Sequence, residues 1–163
     1  MKKGDLKKEN GFTIIETSLV LAIAGLIFLM VFIALPALQR SQRDSKRRDD
    51  VLLFLGAIKK YQTNNRGVLP DGDGSSWRNS LNSYLNSNFE DPDGESYEFI
   101  VETCQGNNGG DCTGYNEPDG IDHKLRIYKQ ATCNGSVPVK ISNSRNVAVV
   151  YKLESGGSYC GNT

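Results

Sequence analysis

The sequence predicts an α+β fold, in which a long N-terminal α-helix packs on a small antiparallel sheet of about three strands. Three features of the 163-residue chain support this prediction. An uncharged apolar run lies near the N-terminus, and a helical pattern with one apolar face follows it. The C-terminal part contains segments in which apolar and polar residues alternate between turn signals. The four cysteines all lie in that C-terminal part.

The average composition conceals two different regions. Lys and Arg number 19, as do Asp and Glu, so the formal net charge is +0. This balance disfavours a protein that coats nucleic acid. The mean hydropathy of -0.42 excludes a polytopic membrane protein. However, 21 of the 27 residues in 12–38 are Ala, Val, Ile, Leu, Met or Phe, whereas 39 of the 113 residues in 51–163 are hydrophobic. The averages therefore describe neither region.

The first predicted element is the apolar run at residues 12–38. Its uncharged part, 17–39, exceeds the roughly 20 residues with which a helix spans a hydrocarbon core. Four lysines in the first eight residues give the start of the chain the character of a secretory signal. The run is longer than the usual core of such a signal, about 7–15 residues, and no small-x-small cleavage site follows it. We therefore expect the apolar helix to stay on the protein.

Glu16 is an ionisable side chain inside this apolar run. A carboxylate near the middle of a membrane costs on the order of 2–3 kcal/mol, and such a residue is by default a functional candidate with a partner. The alternative interpretation places Glu16 at the level of the lipid headgroups, where its cost is small.

Residues 7–16 read KKENGFTIIE and resemble the processing site of type IV filament subunits, the type IV pilins and type II secretion pseudopilins. The resemblance reaches to about residue 61. It implies that a prepilin peptidase removes residues 1–11 as a basic leader by cutting between Gly11 and Phe12, and that Phe12 is then N-methylated. It also implies that Glu16 pairs with the free amine of Phe12 on a neighbouring subunit and sets the register of the filament.

The resemblance implies a pilin-like fold and a structural subunit of a type IV pilus-like filament, serving motility, adhesion, DNA uptake or secretion. Residues 12–38 would span the cytoplasmic membrane in a single-pass precursor, with the N-terminus inside, and would later form the core of an extracellular filament. The implied partners are prepilin peptidase, other pilin subunits including minor pilins, membrane lipids, and the membrane platform with its assembly ATPase. A pseudopilin is the first alternative, and a single-pass anchored extracellular binding module is the second.

We expect the helix to continue to about residue 64, with 39–64 as its amphipathic part. Pro36 lies inside it, removes a backbone donor and bends or loosens the helix. The predicted apolar face of the second part consists of Val51, Leu52, Phe54, Leu55, Ile58 and Tyr61.

Five basic side chains precede that face: Arg40, Arg43, Lys46, Arg47 and Arg48. Such a cluster could bind nucleic acid or anionic lipid headgroups. We interpret it instead as a solvated helix face with partners on the same helix, since Asp44 and Arg48 stand four residues apart in the favourable order.

The predicted extracytoplasmic head comprises residues 65–163. A short helix over 77–86, capped by Ser75 or Ser76, begins it. The sequence Asp-Pro-Asp-Gly at 91–94 signals a turn. Three strand candidates follow, and they occupy 96–104, 123–133 and 146–154.

The even number of cysteines in this Gly-rich part favours disulfides in an oxidising compartment, which places the head outside. No CxxC spacing occurs and there is a single histidine, so we expect no metal site. Four cysteines allow three pairings. We prefer Cys104–Cys112, which staples a short loop, together with Cys133–Cys160, which resembles the C-terminal disulfide loop of many pilins.

Three smaller motifs are weak. Asp71 and Asp73 have the spacing of an EF-hand start but lack its later Gly and Glu, so we expect a turn, with a weak calcium site as the alternative. A second acidic turn contains Asp119, Asp122 and His123, and residues 134–136 fit an N-glycosylation sequon. No arrangement of nucleophile and base is recognisable. We therefore expect no enzymatic activity and no cofactor.

Overall fold

The computed structural model describes residues 11–85, 89–115 and 120–163. The chain divides into two compact units, Met1–Gln39 and Arg40–Thr163. Helix α1, Ile14–Asn64, begins in the first unit and ends in the second. The long N-terminal helix that the sequence predicts is therefore confirmed. Its amphipathic part belongs to the same compact unit as the head.

The described part of the first unit is an apolar helix with an exposed surface. Its most apolar 18-residue window has a mean hydropathy of 2.9, and none of that window is buried. The helix is long and apolar enough to cross a membrane by length and composition. Helix α1 continues through Pro36 without an interruption.

In the second unit, α1 contributes one apolar face to the core. Val51, Phe54, Leu55 and Ile58 are buried and recur at helical spacing. Leu52 is 54% exposed, so the prediction that it belongs to this face is wrong. Successive helical residues are rotated by about 100°, and that rotation turns Leu52 away from Val51.

The second helix, α2, is Gly74–Leu81 and starts earlier than predicted. Its N-cap is Asp73 rather than Ser75 or Ser76, because the Asp73 carboxylate accepts the backbone N–H of Ser76 at 3.0 Å. The helix ends before residue 86, which lies outside the described residues. A Cβ on Gly74 would lie 1.7 Å from the Phe99 carbonyl oxygen, so only glycine permits this docking.

The main sheet has four strands and is mixed, which corrects the prediction of about three antiparallel strands. The strands are numbered in chain order, and β3 and β4 form a separate hairpin described below. The main sheet consists of β1 (Glu98–Thr103), β2 (Lys124–Lys129), β5 (Val147–Lys152) and β6 (Ser158–Asn162). Their order is β1-β2-β5-β6, with β1 and β2 parallel and the other pairs antiparallel. Strand β1 ends at Thr103 and β2 begins at Lys124, a separation in sequence that is long enough for a parallel pair.

A separate hairpin consists of β3, Ala131–Asn134, and β4, Val137–Lys140. The predicted strand at 123–133 is therefore two strands, divided at Gln130, whose backbone is left-handed with φ 57°. Strands β4 and β6 were missed because four residues containing a proline and five containing a glycine give little alternation. A Cβ on Gly161 would lie 2.8 Å from Leu55, so the glycine lets β6 approach α1.

The core lies between one face of the main sheet, α2 and the second part of α1. Its largest fully buried apolar side chains include Trp77, Tyr97, Phe54 and Tyr151. The other face of β5 contributes Ala148 and Val150 to a smaller cluster that contains Cys104 and Cys112. Strand β5 is thus buried on both faces, which makes it the centre of the head.

Candidate functional site

The predicted cleavage site lies immediately before α1. Gly11 and Phe12 are both exposed, and the Phe12 side chain is 88% exposed. Residues 1–10 of the predicted leader lie outside the described residues. The bond that the resemblance marks for cleavage is therefore accessible on its C-terminal side and is followed at once by the helix.

Glu16 forms a reciprocal cap with Thr13 at the start of α1. Its carboxylate accepts the backbone N–H and the hydroxyl of Thr13, both at 2.9 Å. In return the Glu16 N–H donates to the Thr13 hydroxyl at 3.3 Å. This arrangement is a capping box, and the spacing Thr-x-x-Glu could have predicted it. The carboxylate thus has a role within its own chain, independent of any neighbouring subunit.

The apolar side chains that follow Glu16 are exposed on all sides of the helix. Examples are Leu21 at 71%, Met30 at 73% and Ile33 at 71%. A continuous apolar surface of this kind marks a site that contacts a membrane or another protein. The first unit therefore has the properties of an anchor or of an assembly surface.

The second unit contains a buried group of charges that we call the Arg47 cluster: Arg43, Asp44, Arg47, Asp91, Tyr151 and Glu154. The Arg47 side chain is fully buried and donates to both oxygens of Asp91, at 2.6 and 2.8 Å. It also donates to Glu154 at 2.6 Å. Tyr151 adds a hydrogen bond to Asp91 at 2.6 Å.

The same cluster attaches α1 to the turn after β5. Arg43 donates two hydrogen bonds to Glu154, at 2.6 and 2.7 Å. The Asp44 carboxylate accepts the backbone N–H groups of Glu154 and Ser155, at 2.8 and 2.9 Å. The expected pairing of Asp44 with Arg48 is therefore wrong, because Asp44 faces this turn.

The interpretation of the basic residues as a solvated face is correspondingly wrong for Arg47. Arg47 is buried at the junction of α1, the 91–94 turn and β5. About one helical turn further, the Asp50 carboxylate accepts hydrogen bonds from the Lys46 ammonium at 2.7 Å and from the Tyr97 hydroxyl at 3.0 Å. The contacts of Arg47 with Asp91 and of Asp50 with Tyr97 therefore join the helix to the head.

The ion pairs shift the acid–base properties of the cluster. Hydrogen bonds from Arg43 and Arg47 lower the pKa of Glu154 from its ordinary 4.5 to about 2. Burial opposes ionisation of Asp91, but hydrogen bonds from Arg47 and Tyr151 keep its pKa below the ordinary value. Burial raises the pKa of Tyr151, and its hydrogen bond to Asp91 adds to that shift.

We expect Glu154 to make the stability of the head depend on pH in acid. Because the folded-state pKa of Glu154 is lowered, its stabilisation is complete above pH 4.5 and is lost as the pH falls toward 2. The wild type should lose on the order of 2 kcal/mol more than Glu154→Gln over that interval. Denaturant unfolding of the full chain in detergent, followed by the fluorescence of buried Trp77, measures the difference. Parallel pH curves for the two proteins would contradict it.

Both preferred disulfides are present in the structure. Cys104–Cys112 closes a loop with a sequence separation of 8, and Cys133–Cys160 links β3 to β6 with a separation of 27. Among the described residues no cysteine is free. The second bond joins the hairpin to the main sheet, so it connects the two β structures of the head.

Other predicted candidates have structural roles or are not described. Asp73 caps α2, and the N–H and hydroxyl of Ser76 lower the pKa of its carboxyl. Asp122 pairs with Arg126, and Asp119 lies outside the described residues.

One group of potential metal ligands occurs in the described part of the chain. The ligand atoms of Asp91, Asp93 and His123 lie within 4.8 Å of one another. However, both oxygens of Asp91 accept hydrogen bonds from Arg47. The Arg47 guanidinium thus already pairs with Asp91 and lies 3.8 Å from Asp93, so we interpret the group as part of the ion-pair network.

The chain matches no family model, no curated protein sequence and no solved structure.

Proposed function

We propose that this chain is a structural subunit of a type IV pilus-like filament that polymerises through the N-terminal part of α1. The observation that carries the proposal is the exposed apolar helix, of which none of the most apolar window is buried. The head has its own core and two disulfides, so it does not use this helix surface for folding.

The proposal gives each part of the first unit a role. Prepilin peptidase would cut between the exposed residues Gly11 and Phe12. The apolar helix would be covered first by lipid and then by the same helix of other copies, because apolar surface is stabilised by removal from water. In the filament, the Glu16 carboxylate would give up its hydrogen bonds from Thr13 and form an ion pair with the free amine of Phe12 on a neighbouring copy. A carboxylate buried among apolar helices requires such a partner.

A second candidate function is a single-pass anchored binding module. The capping box favours it, since a Glu that serves its own helix start has a structural purpose without a filament. The two functions differ in what happens to the N-terminus, because an anchor does not require removal of residues 1–11.

Mass spectrometry of the full chain isolated from its own cells tests the proposal. We expect a mature chain that begins at Phe12 with a methyl group on its amine. Gly11→Leu should block this processing, whereas Gly4→Leu, the same change within the leader, should leave it intact. A wild-type chain that retains Met1, or one cut beyond residue 38, would overturn the proposal. Electron microscopy of sheared surface fibres then shows whether the processed chain assembles.

A further inference from the structure

Two adjoining clefts at the C-terminal end of α1 form a positively charged surface. One, of about 540 Å³, is lined by Lys59, Arg66 and Arg145. The other, of about 370 Å³, is lined by Arg66, Lys129 and Arg145 and by one acidic residue, Asp71, so cations outnumber acidic side chains in both. We call the surface that these four cations line the basic cleft. None of the four forms an ion pair with any described acidic side chain, although nine such pairs occur elsewhere in the described chain.

The backbone holds the two arginines of the basic cleft in place. Arg66 follows the last turn of α1 in a left-handed conformation, with φ 56°. The next N–H, that of Gly67, donates to the Gln62 carbonyl at 2.7 Å, as in a Schellman cap, where glycine is the usual left-handed residue. A non-glycine residue there costs of order 1 kcal/mol, and such strain points to a function for the side chain.

Arg145 is attached to the same helix end. Its carbonyl accepts the Gln62 side-chain amide at 2.7 Å, and its N–H donates to the Asn143 side chain at 3.0 Å. The Arg145 guanidinium lies 3.2 Å from the position of a Cβ on Gly67. These contacts fix the backbone positions from which the Arg66 and Arg145 side chains line the clefts.

An exposed acidic turn lies elsewhere on the head. Glu90, Asp93 and Glu95 are exposed, and we call them the acidic turn. The turn is closed by hydrogen bonds from Gly94 N–H to the Asp91 carbonyl at 2.8 Å, and from Asp91 N–H to the Glu95 carbonyl at 2.9 Å. Within the described chain, Glu90 and Glu95 form no ion pair.

The acidic turn and the basic cleft lie at different levels along α1. Asp91, at the centre of the turn, contacts Arg47, whereas Lys59 lies 12 residues further along the same helix. At 1.5 Å per residue this is about 18 Å along the axis. Because the two surfaces are complementary in charge and stand apart on one head, they can meet between two copies.

We propose that the basic cleft of one copy receives the acidic turn of the next copy in the filament. This proposal rests on the proposed function. Guanidinium groups match carboxylates in geometry and form strong charge-assisted hydrogen bonds with them. A contact between two different surfaces of the same chain repeats from copy to copy, and it generates an open filament where the rotation between copies does not close a ring. No aromatic residue lines either cleft, which disfavours a ligand that stacks, such as single-stranded nucleic acid.

Charge reversal in the full-length chain tests the contact. We expect Arg66→Glu with Arg145→Glu to lower the yield of sheared filaments at least tenfold, and Glu90→Arg with Glu95→Arg to do the same. The quadruple variant contains reversed charges on both surfaces, so its copies attract again. It should recover at least half of the wild-type yield. Processing at Phe12 and the absence of free thiols show that each variant is matured and folded.

A matched control reverses Lys60 and Arg48, two exposed cations that line neither cleft and form no ion pair within the described chain, and should assemble as the wild type does. The proposal is overturned if either double variant assembles normally, or if the quadruple variant assembles no better than the doubles. Loss in the basic-cleft variant without recovery in the quadruple would assign the cleft to another anionic partner. Absence of filaments from the wild type would instead refute the proposed function.

Discussion

Replacing Arg47 with Met lowers the free energy of unfolding of the head by about 3–5 kcal/mol. The apolar side chain fills a similar volume but leaves Asp91 buried without its counter-charge, and Glu154 loses one of its two arginines. Breaking a buried pair in this way costs more than the pair contributes by itself, because the remaining carboxylate stays desolvated. Urea unfolding of the full chain in detergent, followed by Trp77 fluorescence, measures the change.

Two further variants identify the unpaired charge as the cause. Arg48→Met removes an exposed arginine next to Arg47, whose one described contact is with the Tyr159 ring at 6.0 Å, and should cost about 0.5 kcal/mol. Adding Asp91→Asn to Arg47→Met should restore part of the lost stability, because it removes the orphaned charge. The explanation fails if Arg47→Met is as mild as Arg48→Met.

Removing the charge of Glu16 should lower the filament yield at least tenfold. Glu16→Ala removes both the charge and the capping box, whereas Glu16→Gln keeps a side chain that can complete the capping box. If the carboxylate pairs with the amine of Phe12 on a neighbour, both variants should fail to assemble. A tenfold change in the equilibrium constant for adding a subunit corresponds to about 1.4 kcal/mol. The yield of sheared filaments measures it.

Thr13→Val is the matched control for Glu16. It removes the hydroxyl with which Glu16 shares two hydrogen bonds but keeps the carboxylate. We expect it to assemble at close to the wild-type yield. If Glu16→Gln assembles normally while Thr13→Val does not, the capping box and not the charge is what assembly requires, and the register role of Glu16 is wrong.

Local pattern predicted the parts of the fold that depend on neighbouring residues. The apolar helix, the face formed by Val51, Phe54 and Ile58, and the centres of three strands follow from periodicity alone. The order of the strands does not, because the parallel pairing of β1 with β2 depends on the path of the connection between them. The predicted start of α2 is three residues late because Asp73 caps the helix, whereas the prediction placed the cap at Ser75 or Ser76.

The Arg47 cluster could not be predicted, because Arg47 and Arg48 look alike in the sequence. They differ in their partners, because only Arg47 binds Asp91 and Glu154. These two carboxylates lie 44 and 107 residues further along the chain. The capping box, by contrast, depends only on the local spacing of Thr13 and Glu16, so the sequence contains the signal for it. The assembly role of Glu16, like the filament itself, stays a prediction.

The close docking of Gly74 and Gly161 has an evolutionary consequence. At both positions two segments pack closely because glycine has no side chain. The neighbour of Gly74 is the Phe99 carbonyl, and the neighbours of Gly161 are the side chains of Leu55 and Val51. A side chain at position 74 would clash with a backbone oxygen, which no substitution can remove. A side chain at position 161 would clash with Leu55, and a smaller residue at position 55 could relieve that clash. We therefore expect Gly74 to be retained in every homologue. A larger residue at position 161 should occur only together with a smaller residue at position 55.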